Sequence, residues 1–343
     1  MSISYESVLG KSESVIDVFS LFSEELNDQR ILVTGAGGSI GSKIVEKLSN
    51  FPSLQILATD RDENRLHSLS LEMLGSALFN SSDFRVLDVR DQTGVRGIVE
   101  SFKPTMVIHA AALKHLAILE NQPREAYLTN VLGTKNVLDA AEEFTVDSFL
   151  NISTDKAANP ISVLGKSKAI TERLTKVKRD RGLRRYTSVR FGNVFNSRGS
   201  VIETFVKQIE LQIPITLTHP EVKRYFMKIE EAASLSLASV IIAKGDVHIL
   251  DMGKPVKLSW IVNRLQELLA GNSEVKIVGL RDGEKLEEEL WSKTEVIKDT
   301  NIEGIRYLNF GNLRQDYAER DFDVNPKSDT DARYLLDELL GSN

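Results

Sequence analysis

The sequence predicts an α/β fold, a doubly wound parallel sheet with a smaller C-terminal lobe. Three observations carry that prediction. Apolar runs of strand length alternate with helix-like segments from about residue 31 to 194, the pattern of a parallel sheet covered on both faces. A glycine-rich turn joins the first apolar run to the first helix. After about residue 195 the rhythm loosens into mixed helices and short strands.

Taken in order, residues 1–28 are polar with a short amphipathic piece, Val15 to Leu26, and read as a leader that packs on the main domain. Residues 29–195 form that domain. Its strands are ILVTG (31–35), LQILATD (54–60), FRVLDV (84–89), TMVIHAA (105–111), DSFLNIS (147–153) and YTSVRFGNV (186–194). Helices are expected over 42–49, 63–74, 92–101, 123–143 and 163–179. Residues 246–251 are candidates to complete the sheet. Residues 196–295 make most of the second lobe, and 296–343 a charged tail. The tail's last helix, 330–340, has apolar residues suited to docking on a neighbour or subunit, although a solvated end fits equally well.

The composition excludes several classes of function. The 343 residues include no cysteine, which removes disulfides, thiolate metal sites and a cysteine nucleophile. A net charge of −6 argues against a general nucleic-acid or anionic-membrane binder, so an anionic ligand must be held by local groups. No apolar run approaches the ~18–20 residues of a membrane span, and the start lacks a secretory pattern. The expected location is the cytoplasm. No metal site is expected.

The segment ILVTGAGGSIGS places Gly35, Gly38 and Gly41 between a strand and a helix. Glycine there permits a tight turn, close approach to a pyrophosphate and close helix packing, the Rossmann dinucleotide fingerprint. The helix start around Ser39 and Ile40 offers unpaired N–H groups and a positive dipole end. Asp60 ends the next strand at the spacing expected of an acid that grips the adenosine ribose. Asp88 and Val89 end the third strand, where the adenine edge would lie. Asp60 favours NAD, while Arg61 beside it leaves NADP open.

The fourth strand ends in HAAALKH. Ala110 and Ala111 leave room beside a cofactor, Lys114 meets an anionic substrate or solvent, and His115 reads as structural. The fifth strand ends in Thr154, Asp155 and Lys156, and Lys168 follows on a helix. Short-chain dehydrogenases place Ser or Thr on this strand end and a Tyr-x-x-x-Lys on the next helix, with Tyr and Lys on one face. Here Lys168 is present, but the tyrosine position holds Leu164, which cannot exchange a proton.

Seven blocks in order, TGAGGSIGS, HAAALKH, TNVLGT, STDKAANP, RFGNVFNSRGSVI, RYFMKI and GLRDGEKLEEEL, resemble the UDP-N-acetylglucosamine 4,6-dehydratases of bacterial polysaccharide biosynthesis, which are extended short-chain dehydrogenases. The resemblance runs from about residue 5 to 295. The leader SVLGKSES resembles the segment that joins a membrane anchor to the catalytic domain in long members. The resemblance implies oxidation at sugar C4, loss of the C5 proton and the C6 hydroxyl, and reduction at C6. It implies Lys156 as the C5 base, Asp155 as the acid at C6, Thr154 near the C4 oxygen and Lys168 on the nicotinamide ribose. Long members carry methionine at the tyrosine position, so Leu164 is compatible with activity and with retention at C5. What receives the C4 hydroxyl proton stays open between Thr154 through a water and Asp155. A base role for Lys156 needs a depressed pKa near the site.

The resemblance also assigns Asn193, Arg224 and Arg281 to the diphosphate and Glu284 to the uridine ribose of a UDP-sugar. Arginine suits such planar, multidentate recognition. Arg198 stays undecided between ligand and surface ion pair. A homo-oligomer is expected. A nucleotide-sugar 4-epimerase and a catalytically silent binding protein remain the alternative readings.

Overall fold

A computed structural model describes residues 3–10, 18–75, 83–182, 184–311 and 322–341. Two leader helices, α1 (Tyr5–Leu9) and α2 (Val18–Leu26), come first. The main alternation follows as β1 (Arg30–Thr34), α3 (Ser39–Ser49), β2 (Gln55–Asp60), α4 (Glu63–Leu74), β3 (Phe84–Val86), α5 (Gln92–Phe102) and β4 (Met106–His109). It continues through α6 (Leu116–Asn121), α7 (Pro123–Ala126), α8 (Gly133–Glu143), β5 (Ser148–Ile152), α9 (Val163–Gly182) and β6 (Arg185–Arg190). Next come β7 (Asn193–Val194), α10 (Val201–Glu210), β8 (Ile215–Leu217), β9 (Lys223–Arg224), β10 (Phe226–Met227), α11 (Ile229–Ile242) and β11 (Val247–Leu250). The last elements are β12 (Val256–Lys257), α12 (Leu258–Leu269), β13 (Val275–Ile277), β14 (Ile297–Asp299), β15 (Ile305–Leu308) and α13 (Asp329–Leu340).

The main sheet has the order β14-β15-β11-β6-β5-β4-β1-β2-β3. From β3 to β11 every pairing is parallel, and β15 and β14 add antiparallel at the edge. The chain moves outward from β1 in both directions, so the crevice between the carboxyl ends of β1 and β4 is the switch point where such folds bind ligands. Period-two side-chain alternation builds the layers. Ile31, Val33, Ile108 and Leu150 pack on one face with Ile44 of α3 and Leu235 of α11. Leu32, Val107 and Phe149 pack on the other with Val99 of α5, Val137 of α8 and Ile170 of α9. A third cluster, around Phe205, Ile215, Phe226 and Ile261, is the core of the second lobe.

Several elements differ from the sequence expectation. α3 starts at Ser39 rather than 42, because Gly38 adopts the extended N-cap conformation. β3 stops at Val86, leaving Asp88 and Val89 beyond it. The expected helix over 123–143 contains a π-helical turn, Tyr127–Leu132, which widens it beside α9. The tail is not peripheral: β14 and β15 extend the main sheet. Ala332, Leu336 and Leu339 of α13 enter the same apolar cluster as Ile170 and Leu174 of α9, so its docking partner is its own chain. The leader also divides. Leu26 of α2 joins the main core. Tyr5, Val8 and Leu9 of α1 instead join the second lobe's core, where the Tyr5 hydroxyl donates to the Phe226 carbonyl at 3.1 Å. Part of the expected amphipathic piece, residues 15–17, lies outside the described residues. Among the described residues no helix is long and apolar enough to cross a membrane, and no cluster of His, Asp or Glu is arranged to hold a metal ion.

Candidate active site

The glycine-rich turn is shaped by contacts that a side chain would obstruct. Gly35 has φ +68°, and a Cβ there would stand 2.4 Å from the Ala111 amide nitrogen. Gly41 lets α3 close on the turn, since its Cβ would meet the Gly35 carbonyl oxygen at 2.2 Å. Gly38 caps α3 with no side-chain hydrogen bond, so the first-turn N–H groups of Ser39, Ile40 and Gly41 face outward uncapped. Asp60 holds the turn through its carboxylate, which accepts from Gly37 N–H at 2.9 Å and from Asp62 N–H at 3.0 Å. Arg61 is exposed beside it. Past β3, the Asp88 carboxylate is gripped by Arg90, with its pKa lowered chiefly by that hydrogen bond. Val89 is buried.

Toward the inner end of the crevice, His109 is fully buried between two hydroxyls, with Nδ1 2.7 Å from Thr34 Oγ1 and Nε2 2.9 Å from Thr134 Oγ1. Burial and the Lys168 charge push its pKa down to about 3, so the ring is neutral. Asn130, in the π turn, accepts from Leu113 N–H at 2.8 Å and donates to Ser167 Oγ at 3.0 Å, tying the loop after β4 to α9. Lys168 lies on α9, buried, and among the described residues its ammonium makes no hydrogen bond or ion pair. Burial lowers its pKa to about 8. An unpaired buried ammonium near His109, whose ring bonds Thr34 just before the uncapped glycine turn, suits the hydroxyls of a ribose, so these residues fit a nicotinamide dinucleotide. Leu164, one turn earlier, is buried in the apolar cluster around Val163 and Ile170 and contributes packing only.

The acid–base group lies at the carboxyl end of β5. Asp155 is fully buried. Its Oδ1 accepts from Thr154 Oγ1 at 2.8 Å and from Lys156 Nζ at 3.0 Å, while Oδ2 has no partner. Gly192 leaves the space for that second oxygen, since a Cβ there would stand 2.8 Å from it. A second carboxylate, the buried Glu288, stands 3.6 Å from the same ammonium. Desolvation acts to lower the Lys156 pKa, but the Asp155 and Glu288 charges outweigh it and the net shift is upward. The depressed pKa that a base role requires is not met at rest, where Lys156 is an ammonium held by two carboxylates. Beneath it, Ser153 Oγ donates to Glu172 Oε1 at 2.6 Å, and Glu172 takes two bonds from the fully buried Arg190, which also pairs with Glu295 at 2.9 Å. This closed network fixes β5, β6, α9 and the segment around residue 295 under the site.

At the nucleotide end, Arg224 is buried and pairs with Glu284 at 3.0 Å, so two residues expected on different parts of a ligand bind each other. Glu284 also accepts from Thr218 Oγ1 at 2.9 Å and from Arg281 N–H at 3.3 Å. The Arg281 side chain is exposed. Asn193 is half-buried on β7, paired with β10 at Phe226. Lys114 does not point to this end. Its ammonium donates to the Arg198 carbonyl at 2.8 Å, near the glycine turn.

The family described as polysaccharide biosynthesis protein matches residues 31–309. The chain belongs to that family. It is 43% identical over 301 residues to the capsular polysaccharide biosynthesis protein CapD of Staphylococcus aureus, covering 86% of this chain and 50% of that protein. It thus spans about half the length of the curated relatives it matches first. It is 30% identical to a UDP-glucose 4-epimerase of Rickettsia felis, covering 85% of this chain and 86% of that one. Among solved structures, Pen from Bacillus thuringiensis is 32% identical with a TM-score of 0.70, covering 78% of this chain and 84% of that chain.

Within this member of the family, sequence reasoning missed Glu288, Glu172, Arg190 and Asn130. Glu288 sits in the run Glu287-Glu288-Glu289, and only an inward-outward alternation distinguishes it: Glu287 is exposed on Lys223, while Glu289 bonds Asn159. Arg190 precedes RFGN's phenylalanine at the end of a strand buried from Tyr186 onward, a signal that a buried charge partner was required.

Proposed function

We propose that this chain carries out the NAD-dependent 4,6-dehydration of a UDP-N-acetylhexosamine, with UDP-N-acetylglucosamine as the substrate and retention at C5. The observation that carries this reading is the fully buried Asp155 carboxylate, shared by the Thr154 hydroxyl and the Lys156 ammonium at the carboxyl end of β5. Gly35, Gly38, Ser39, Ile40, Gly41, Asp60 and Lys168 would hold the dinucleotide, with Ala110 and Ala111 leaving it room. When bound, it supplies the oxidation at C4 and the reduction at C6.

The chain's own residues handle the protons. Thr154 relays the C4 hydroxyl proton to Asp155, since its Oγ1 already bonds Oδ1. Asp155 then gives that proton to the C6 oxygen, which leaves as water. Lys156, once its ammonium has lost a proton to solvent, takes the one from C5, made acidic by the C4 ketone. Returning a proton to C5 from the same ammonium keeps the configuration. No tyrosine is needed in this sequence of transfers, consistent with the packing role of Leu164. Asp155 and Glu288 hold Lys156 protonated at low pH, so turnover rises with pH as the lysine is released. Arg224, Arg281 and Asn193 would take the diphosphate and Glu284 the ribose.

The epimerase reading is favoured by the 30% identity to the Rickettsia felis protein. It shares the C4 oxidation but leaves Asp155 and Lys156 without a task at C5 and C6. Incubation with UDP-N-acetylglucosamine in deuterated water, followed by proton NMR, separates the two. Expected is a 4-keto-6-deoxy sugar with deuterium at C5 and the gluco configuration retained. A C4-inverted sugar that keeps its C6 hydroxyl would overturn the proposal in favour of epimerisation.

A further inference from the structure

The turn between β7 and α10, residues 196–200, comes from the second lobe but lies against the glycine-rich turn of the first. Arg198 makes both contacts: its Nη2 donates to the Gly37 carbonyl at 2.7 Å, and its backbone N–H donates to Ser39 Oγ at 3.1 Å. Lys114, from the loop after β4, holds the same turn by donating to the Arg198 carbonyl at 2.8 Å. The His115 ring stands close to Gly199, whose φ is +67° and where a Cβ would stand 2.6 Å from the ring. The turn is thus strapped across the mouth of the crevice.

The cations in this strap are not hydrogen-bonded to any carboxylate among the described residues, and only the Glu203 charge acts on Lys114 from a distance. Among the described residues neither Arg198 nor Lys114 forms an ion pair. Glu203, which accepts from Gly199 N–H at 2.5 Å, is engaged by Lys207. Lys114 has a lowered pKa, first from desolvation and then from the cations of Arg198 and Arg65. Two like charges held together over the uncapped start of α3 describe a place prepared for a dianion.

We propose that Arg198 is a binding residue for the diphosphate of the nicotinamide dinucleotide, with Lys114 as the second cation, and that the second lobe thereby clamps the cofactor. The guanidinium now on the Gly37 carbonyl exchanges that neutral acceptor for a phosphate oxygen. This rests on the cofactor part of the proposed function and not on the sugar chemistry. It also moves Lys114 from the substrate, where the sequence placed it, to the cofactor. A diphosphate could equally come from the UDP-sugar. The contacts to Gly37 and Ser39, both in the dinucleotide turn, favour the cofactor.

The test is calorimetric titration of the full chain and of Arg198→Ala with NAD, ADP-ribose, adenosine and UDP, together with the melting temperature of each apoprotein. Expected is a roughly 10- to 100-fold loss of affinity for NAD and ADP-ribose, the worth of one charge-assisted hydrogen bond. Adenosine and UDP binding and the apoprotein melting temperature should hold. Arg198→Lys, which keeps the charge, should recover part of the loss, and the loss should shrink as salt is raised. Weakened UDP binding with unchanged ADP-ribose binding would assign Arg198 to the substrate and overturn the proposal. Equal loss for adenosine would reduce the residue to a structural prop, and an unmodified chain that binds no dinucleotide would remove the proposal with its premise. Failure of dehydration alone, with NAD affinity intact, would strike only the sugar chemistry.

Discussion

The two halves of the crevice treat their cations in opposite ways. On the side proposed for the cofactor, Lys168, Lys114 and Arg198 form no ion pair among the described residues. On the sugar side, Lys156 is held by Asp155 and Glu288, and Arg224 by Glu284. Lys156 and Lys168 make the contrast sharpest, because both are shielded from water and their pKa values move in opposite directions, one up and the other down to about 8. Burial is common to both, so the carboxylates decide the sign. The difference suggests two kinds of pocket. One has a deficit of negative charge that the proposed dinucleotide would correct, while the other is internally balanced, its carboxylates and cations paired with one another.

The largest expected effect comes from breaking the balanced side. Lys156→Ala should lower formation of the 4-keto-6-deoxy sugar by at least ~10²-fold, the low end for removing a general base, while NAD affinity stays near that of the unmodified chain. Near-native turnover, read by NMR, would remove Lys156 from the chemistry.

Breaking the other side should cost binding and gain stability. Lys168→Met should weaken NAD by on the order of 10–100-fold, the loss of one or two charge-assisted bonds, and raise the melting temperature of the apoprotein. The sign follows from linkage. Folding lowers this lysine's pKa, so the unfolded chain holds the proton more tightly and the folded state is penalised below about pH 8. That penalty, roughly 3 kcal/mol at ~1.4 kcal/mol per pKa unit, fades as pH rises from about 8 toward 10.5. A melting temperature that falls in the variant would contradict the picture of an unpaired, costly ammonium.

A smaller effect is expected at the exposed Arg281. Arg281→Ala should raise the KM for the UDP-sugar by about tenfold with little change in kcat, as for a lost phosphate contact. An unchanged KM would take Arg281 out of the nucleotide pocket. The smallest effect sharpens the contrast directly. Glu288→Gln removes one of the two carboxylates that raise the Lys156 pKa, so the rise of kcat/KM with pH should move to lower pH by about one unit. A rise that stays in place would show that Asp155 alone sets the lysine.

Much of this contrast was hidden in the sequence for identifiable reasons. The alternation of apolar runs and helices, with Gly35, Gly38 and Gly41 after the first, was enough to read the parallel sheet, its switch point and the dinucleotide turn, because each follows from local spacing. Asp155, Lys156 and Lys168 were legible as strand-end and helix-face positions. The protonation of Lys156 was not, because it depends in part on Glu288, which arrives from more than 120 residues away in sequence. The same holds for Arg190, whose neutralisation needs Glu172 and Glu295 together. The strands β14 and β15 were missed because edge strands in a charged stretch lack the apolar continuity that betrays a central strand.

The seat of α1 has a mechanical consequence. Through Tyr5 on the Phe226 carbonyl, and the Tyr5 ring edge-on to Phe195 at 5.5 Å, α1 holds β10 and the end of β7, the paired strands that carry Asn193 and follow directly on Arg224 of β9. A displacement of α1 would therefore shift the strand that carries Asn193 together with the second lobe's core, and leave the main sheet in place.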